Sequence, residues 1–332
     1  MRRWRAAWMG CAAALVVAAC GGGSNTGGAK PPHGNTLIVG ETGQPYSLDP
    51  GQSLGNYDLE VMFLIYDPLL RADPKTLKPQ PGLATAWNWM GPDRLTLRLT
   101  LRQGVTFQDG TPFDAQAVKT SMDHYRSTHL ETDLTPVSSV NVADTHTVDI
   151  HLSAPYSPLP EVLTERAGMI VSPAALQKYG PVNIGQHPVG TGPFKLDSWV
   201  QQQELKLTRW NGYWQKGKAK LAGIDWKVIS DPTALASAIQ AGQVDYSSNI
   251  QPTNRQALQQ KSNLATKVIP TLSMALIQLN TGLPPVNDAL VREAIDSALD
   301  RKGINNVING PGIGGPAWQY VPPTYWTYSK NL

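Results

Sequence analysis

One serine lies in a pattern typical of hydrolases. Residues 51–55 have the sequence GQSLG, which matches the G-x-S-x-G turn that exposes a nucleophilic serine between a strand and a helix. The preceding residues are Leu48, Asp49 and Pro50, and proline is disfavoured in a central strand that would lead into such a turn. The context favours a chance match in a glycine-rich loop. A secreted, lipid-anchored serine hydrolase that uses Ser53 is therefore the more distant functional alternative.

Other residues with catalytic or metal-binding chemistry are scattered. The histidines show neither the H-E-x-x-H spacing nor a cluster with cysteine, so they do not predict a zinc site. Asp296 and Asp300 are spaced to share one helix face, which is usually solvated. The sequence therefore predicts no metal, no cofactor and no enzymatic activity. The six histidines are His33, His124, His129, His146, His151 and His187.

A glycine-rich segment, GTGPF at 190–194, is a second candidate for chemistry because such loops can bind phosphate. It lacks the Walker and dinucleotide-binding spacings, and the pattern after it predicts a strand. A phosphate site of this kind needs the amides and dipole of a helix N-terminus. The segment is better explained as a tight turn in which Gly190 to Pro193 direct the strand that begins at Phe194.

The N-terminal residues predict the compartment. Arg2, Arg3 and Arg5 precede the apolar stretch 6–19, which is too short to span a bilayer and is typical of a secretory signal. The sequence VAAC at 17–20 resembles the bacterial lipobox. We therefore expect a lipoprotein signal peptide over 1–19, a lipid on Cys20 and a flexible tether over 20–35.

Charge and cysteine content exclude two classes of protein. Removing the three arginines of the signal lowers the formal net charge from +3 to 0, so the sequence gives no electrostatic support for nucleic-acid binding. Both cysteines are also accounted for. Cys11 leaves with the signal and Cys20 carries lipid, so no disulfide or thiolate metal site is expected.

The elements that would position a site alternate between strands and helices, which favours an α/β fold. Helix starts are predicted at Asp114 and Asp231, where aspartate can cap the first turn, and a stop at Gly242. From Leu59 onward, apolar residues recur at helical spacing, which predicts a helix that ends near Pro68. Strands are predicted at 36–40, 95–101, 148–152, 194–199, 204–210, 225–229, 244–249 and 274–280, and a further helix at 288–303.

Several segments together resemble family 5 of the extracytoplasmic solute-binding proteins of ABC importers, the peptide and nickel type. The resemblance runs in order through nearly all of 36–332. The matching segments are SLDP at 47–50, IYDPLL at 65–70, GLATAWNW at 82–89, 95–121, MIVSPAAL at 169–176, VGTGPFKL at 189–196, YW at 213–214, 229–246 and 279–301.

The resemblance implies a periplasmic-binding-protein-like fold with two α/β lobes that close on a ligand. Lobe 1 is expected over 36–270, with an extra subdomain at about 50–165, and lobe 2 begins at 271–332. Family members continue well past the segment that corresponds to YVPPTYWTYSKNL. We therefore expect this chain to be a fragment with an incomplete second lobe; a natural truncation that binds ligand poorly is the alternative.

The resemblance also implies a function and partners. The protein would capture di- or oligopeptides outside the cytoplasmic membrane, in the periplasmic space, and deliver them to the ABC permease as a monomer anchored through Cys20. Nickel chelates or oligosaccharides are the alternative ligands within the same family.

The same resemblance indicates ligand contacts. Tyr46, Ser47 and Leu48 match positions that line the cleft, and Arg166 resembles a basic position near the ligand, although a surface arginine explains it equally well. Ser248 and Asn249 follow GQVD where oligopeptide binders contact backbone. Ser273 and Met274 are expected near the hinge crossing.

Overall fold

The computed structural model describes residues 33–53, 55–128, 133–269, 274–317, 319 and 328–329. The strands are β1 Thr36–Glu41, β2 Leu70–Ala72, β3 Pro79–Pro81, β4 Ala84–Met90, β5 Thr96–Leu101, β6 Val137–Asp144, β7 Thr147–Leu152, β8 Phe194–Val200, β9 Glu204–Arg209 and β10 Gly223–Val228. The helices are α1 Asn56–Ile65, α2 Ala115–Ser127, α3 Leu159–Val162, α4 Pro173–Asn183, α5 Pro232–Gln240, α6 Pro252–Gln259, α7 Ala289–Ala298 and α8 Arg301–Asn309. The predicted α/β class is confirmed.

The first sheet has the strand order β1-β10-β9-β8. β1 runs parallel to β10, and β8 and β9 form an antiparallel hairpin. Side chains alternate along β1, so Val39 packs in the cluster that contains α1, whereas Ile38 packs with Leu235 of α5. Helices therefore cover both faces of this sheet.

The second sheet is antiparallel, with the order β4-β5-β7-β6. β5 alternates as predicted: Leu97, Leu99 and Leu101 face the core while the residues between them are more exposed. The helix α2 packs on this core, and Asp114 caps it by accepting a hydrogen bond from the Ala117 amide at 2.9 Å. This sheet therefore has its own apolar core, distinct from the one under β1.

The glycine-rich segment 190–194 joins the two sheets. A Cβ on Gly190 would lie 2.3 Å from the Ile65 carbonyl oxygen, so only glycine permits this approach to the end of α1. The Gln108 side-chain amide donates to the carbonyls of Ile65 at 3.0 Å, Gly192 at 3.2 Å and Phe194 at 2.7 Å. The prediction that this segment directs the strand beginning at Phe194 is confirmed, and the glycines serve close backbone packing.

Two predictions about residues 274–309 are wrong. Residues 274–280 form no strand, and Leu276 and Ile277 are 53% and 60% exposed. The helix expected at 288–303 divides into α7 and α8, because Leu299 is extended and Asp300 caps a new helix through the Gly303 amide. The apolar run of 274–280 has no strand beside it in the described part of the chain, so hydrophobicity alone does not produce a strand here.

Candidate functional site

The loop after β1 holds three predicted ligand contacts in different environments. Tyr46 is 82% exposed, whereas Ser47 is buried and its Oγ accepts a hydrogen bond from the Asp49 amide at 3.1 Å. Leu48 is fully buried, and its carbonyl accepts a hydrogen bond from the Tyr66 hydroxyl at 2.9 Å. Leu48 is thus a core residue that fixes the loop, and of the three only Tyr46 offers a free side chain.

Ser53 and Arg166 lie together beneath the start of α1. The fully buried Ser53 hydroxyl donates a hydrogen bond to the Asp58 carboxylate at 2.9 Å. It also accepts a hydrogen bond from Arg166 Nε at 3.3 Å. A second Arg166 nitrogen donates to the Gly55 carbonyl at 2.9 Å. A serine nucleophile needs an exposed hydroxyl beside a general base, so this buried arrangement argues against the hydrolase alternative. Arg166 supports the loop.

Ser248 and Asn249 lie at the carboxyl end of β1, facing α1. The Ser248 amide donates to Glu41 at 2.5 Å, and its hydroxyl donates to Glu60 at 3.1 Å. The Asn249 side chain donates to the Tyr57 hydroxyl at 3.4 Å. The structure thus brings together one strand end, one helix face and one loop. We call the five residues that meet there the acidic cluster: Glu41, Tyr57, Glu60, Ser248 and Asn249.

Backbone pairing holds the loop of the acidic cluster against β1. The Gly40 amide donates to the Tyr246 carbonyl at 2.9 Å, and the Ile38 amide donates to the Asp245 carboxylate at 2.9 Å. Tyr246 also forms a parallel bridge with Val39. The strand predicted at 244–249 is therefore only a single bridge, followed by a loop that carries the polar side chains.

Electrostatics in the acidic cluster oppose ionisation. Burial raises the pKa of the Glu41 carboxyl, outweighing the hydrogen bond from the Ser248 amide, and the nearby Glu60 charge raises it further. Glu60 is exposed, yet partial loss of hydration raises the pKa of its carboxyl. The hydrogen bond from Ser248 lowers that pKa but does not outweigh the loss of hydration. The two carboxylates therefore repel one another across a single serine.

The remaining predicted residues are less informative. Met274 is half-buried, while Ser273 and Cys20 lie outside the described residues. Within the described ranges, no group of three or more metal-ligating side chains occurs and no helix is long and apolar enough to cross a membrane.

Sequence reasoning missed Glu41, Glu60 and Tyr57. Each lies in a segment that was explained by its secondary structure alone: Glu41 ends a strand, and Tyr57 and Glu60 lie on one helix. A signal was available, because a glutamate directly after the apolar run LIVG is placed at the end of a buried strand. Only the tertiary fold shows that residue 248 lies beside it.

Comparisons with known proteins agree with this architecture. Residues 78–332 match the bacterial extracellular solute-binding proteins, family 5, middle region. The chain is 34% identical over 285 residues to the glutathione-binding protein GsiB of Salmonella typhimurium, across 84% of this chain and 54% of that protein. The GsiB protein of Escherichia coli O1:K1 is 33% identical with the same coverage. The chain spans about half the length of these curated relatives.

Solved structures share the fold. DppA from Helicobacter pylori, in complex with the peptide STSA, superposes with a TM-score of 0.77 at 23% identity over 90% of this chain and 62% of that one. AgaA from A. tumefaciens R10, in complex with agropinic acid, superposes with a TM-score of 0.75 at 26% identity. The match covers 89% of this chain and 60% of AgaA. The predicted periplasmic-binding-protein-like fold is confirmed. The chain belongs to family 5 of the bacterial extracellular solute-binding proteins.

Proposed function

We propose that the protein is the substrate-binding component of an ABC importer, and that it captures di- or oligopeptides outside the cytoplasmic membrane. The observation that carries this proposal is the family 5 match over residues 78–332. The GsiB relatives bind glutathione and DppA is seen with STSA, and both ligands are peptides. The permease would receive the ligand from the closed protein.

The arrangement of polar groups supports a peptide ligand. Tyr46, Ser248 and Asn249 lie on two loops near α1, and they offer hydroxyl and amide groups of the kind that hydrogen-bond a peptide backbone. Closure of a second lobe over these loops would select ligands that touch both lobes. We place lobe 1 at 36–270 and the start of lobe 2 at 271–332.

Nickel chelates and oligosaccharides are the second candidates. NikZ of Campylobacter jejuni, seen with Ni(L-His), has the same fold with a TM-score of 0.72 and 23% identity. Lipid attachment at Cys20, cleavage of a signal over 1–19 and a monomeric state complete the proposal. Together they would hold the protein on the outer face of the membrane, beside its permease.

Thermal unfolding of the full chain with separate ligand panels tests the function. The panels are mixed di- and tetrapeptides, glutathione, nickel–histidine and oligosaccharides. A ligand at a hundred times its Kd should stabilise the protein by about 2.7 kcal/mol. We expect stabilisation by peptides, and mass spectrometry of co-purified ligand should identify a peptide. A shift with nickel–histidine or sugar alone would reassign the substrate.

A further inference from the structure

The acidic cluster contains two carboxylates that the fold holds close together. Glu41 ends β1, Glu60 lies on α1, and Ser248 bridges them through its amide and its hydroxyl. Neither carboxylate caps a helix or joins a core network such as that of Asp58. Within the described residues, their side chains are bonded to the loop at Ser248 and to no other element of the fold.

Among the residues that the structure describes, no lysine, arginine or histidine forms an ion pair with either glutamate. Glu41 is fully buried, and its Oε2 has no hydrogen-bond partner. The neighbouring Ser247 hydroxyl is also buried and lies beside the Glu41 carboxylate, whose pKa it lowers. Buried charges are normally paired, so a positive group that binds here would complete the cluster.

An aromatic side chain lies at the same place. Tyr246 is 49% exposed, and burial together with the charges of Glu60 and Glu41 raises its pKa. Carboxylates beside an aromatic ring suit an organic cation, because both the negative charge and the π-system attract it. A divalent metal would need more oxygen ligands, and the described residues hold no group of three metal-ligating side chains.

We propose that Glu41 and Glu60 form a subsite for the ammonium or guanidinium group of a solute, in which Glu60 contacts that group and Glu41 supplies a second negative charge behind it. This inference rests on the proposed function, because it assumes that the solute is held beside Ser248 and Asn249. It specifies that function further: the preferred solute carries a positively charged side chain at this position.

The test is calorimetric titration of the full chain with four matched tripeptides: Ala-Lys-Ala, Ala-Arg-Ala, Ala-norleucine-Ala and Ala-Glu-Ala. Norleucine keeps the length and apolar stem of lysine without its charge. We expect the lysine and arginine peptides to bind about tenfold more tightly than the norleucine peptide. The glutamate peptide should bind most weakly, because its carboxylate would face two others.

Three variants locate the effect. Glu60→Gln should weaken binding of the lysine peptide more than binding of the norleucine peptide and so remove the preference, and Glu41→Gln should reduce the preference in part. Glu204→Gln is the matched control, because Glu204 lies two strands from β1 and pairs with Lys206. A lysine preference that survives Glu60→Gln would overturn the subsite, although peptide binding would still support the proposed function.

A second set of probes separates the subsite from the peptide assignment. Free arginine, putrescine and Ca²⁺ are titrated against the same variants. If no tripeptide binds but arginine or putrescine binds in a Glu60-dependent manner, the peptide function fails and the subsite stands. If neither a tripeptide nor an organic cation binds, both fail. Binding of Ca²⁺ alone, lost in Glu60→Gln, would overturn the organic-cation assignment in favour of a metal.

Discussion

Helices α2 and α7 have similar sequence patterns but different surroundings. Both are amphipathic and both begin at an aspartate cap. α2 buries Val118, Met122 and Tyr125 against the second sheet, whereas no residue of α7 or α8 is buried and Leu290 and Val307 are 72% and 81% exposed. An amphipathic pattern thus predicts a helix reliably, but it does not say what covers the apolar face.

The packed region should be broken most severely by His124→Ala. His124 Nε2 lies 2.9 Å from Asp49 Oδ2, and both side chains are almost fully buried. Removing the imidazole takes away the partner of Asp49 Oδ2. The carboxylate stays buried, and its Oδ1 still accepts a hydrogen bond from the Gly51 amide. We expect a loss of about 3 to 5 kcal/mol in the free energy of unfolding, measured by urea denaturation.

His146→Ala is the control for that change, because His146 lies in the β6–β7 turn and is only partly buried. It should alter stability by less than about 0.5 kcal/mol. Equal effects of the two substitutions would mean that the Asp49–His124 pair does not stabilise the loop after β1.

Gly190→Ala should have the next largest effect. The added Cβ would meet the Ile65 carbonyl oxygen at 2.3 Å and the Tyr66 backbone at 2.9 Å, neither of which can move freely. We expect a loss of about 2 to 3 kcal/mol. Gly217→Ala is the comparison, because nothing lies within 4 Å of a Cβ there and only its positive φ of 74° is strained. Similar losses at the two positions would contradict the conclusion that close packing makes Gly190 the more sensitive position.

Glu41→Gln should stabilise the protein, in contrast to the two changes above. The raised pKa means that the folded protein holds this proton more tightly than the unfolded chain does. Wild-type stability is therefore lost as pH rises from the unfolded value of about 4.5 through the folded pKa. We expect the melting temperature of Glu41→Gln to exceed that of wild type at pH 7.5, with the gain fading at pH 4.

If the melting temperatures of Glu41→Gln and wild type differed equally at pH 7.5 and at pH 4, this electrostatic explanation would be contradicted. A gain in stability together with weaker binding of cationic solutes would show that the glutamate is retained for ligand binding at the expense of stability.

The smallest effect is expected in the exposed region. Leu290→Gln combined with Val307→Gln replaces two exposed apolar side chains, so the free energy of unfolding should change by less than about 0.5 kcal/mol. Binding of a hydrophobic dye should fall, because the apolar surface is reduced. A loss above about 1 kcal/mol would indicate that these side chains are packed in solution.

The sequence predicted the order of elements well where local rules apply. Alternation identified β5 and β7, and aspartate caps placed the starts of α2 and α5. It failed at 274–280, because an apolar run specifies a strand only when another strand lies beside it.

The site was less predictable. Ser248 was found through the resemblance, but Glu41 and Glu60 become its neighbours only through contacts about 190 to 210 residues apart in the chain. The matched segments themselves are largely scaffold. In IYDPLL, for example, Asp67 accepts a hydrogen bond from the Trp214 indole at 2.6 Å.

The Gln108 side chain has a consequence for how the molecule unfolds. Its amide reaches carbonyls that lie 43, 84 and 86 residues away in the chain, and these belong to the end of α1 and the start of β8. The entropy of closing these long loops must be lost before such contacts can form. Amide protons of β5 and β9 should therefore exchange with solvent in one shared opening event, so that the two sheets behave as a single cooperative unit.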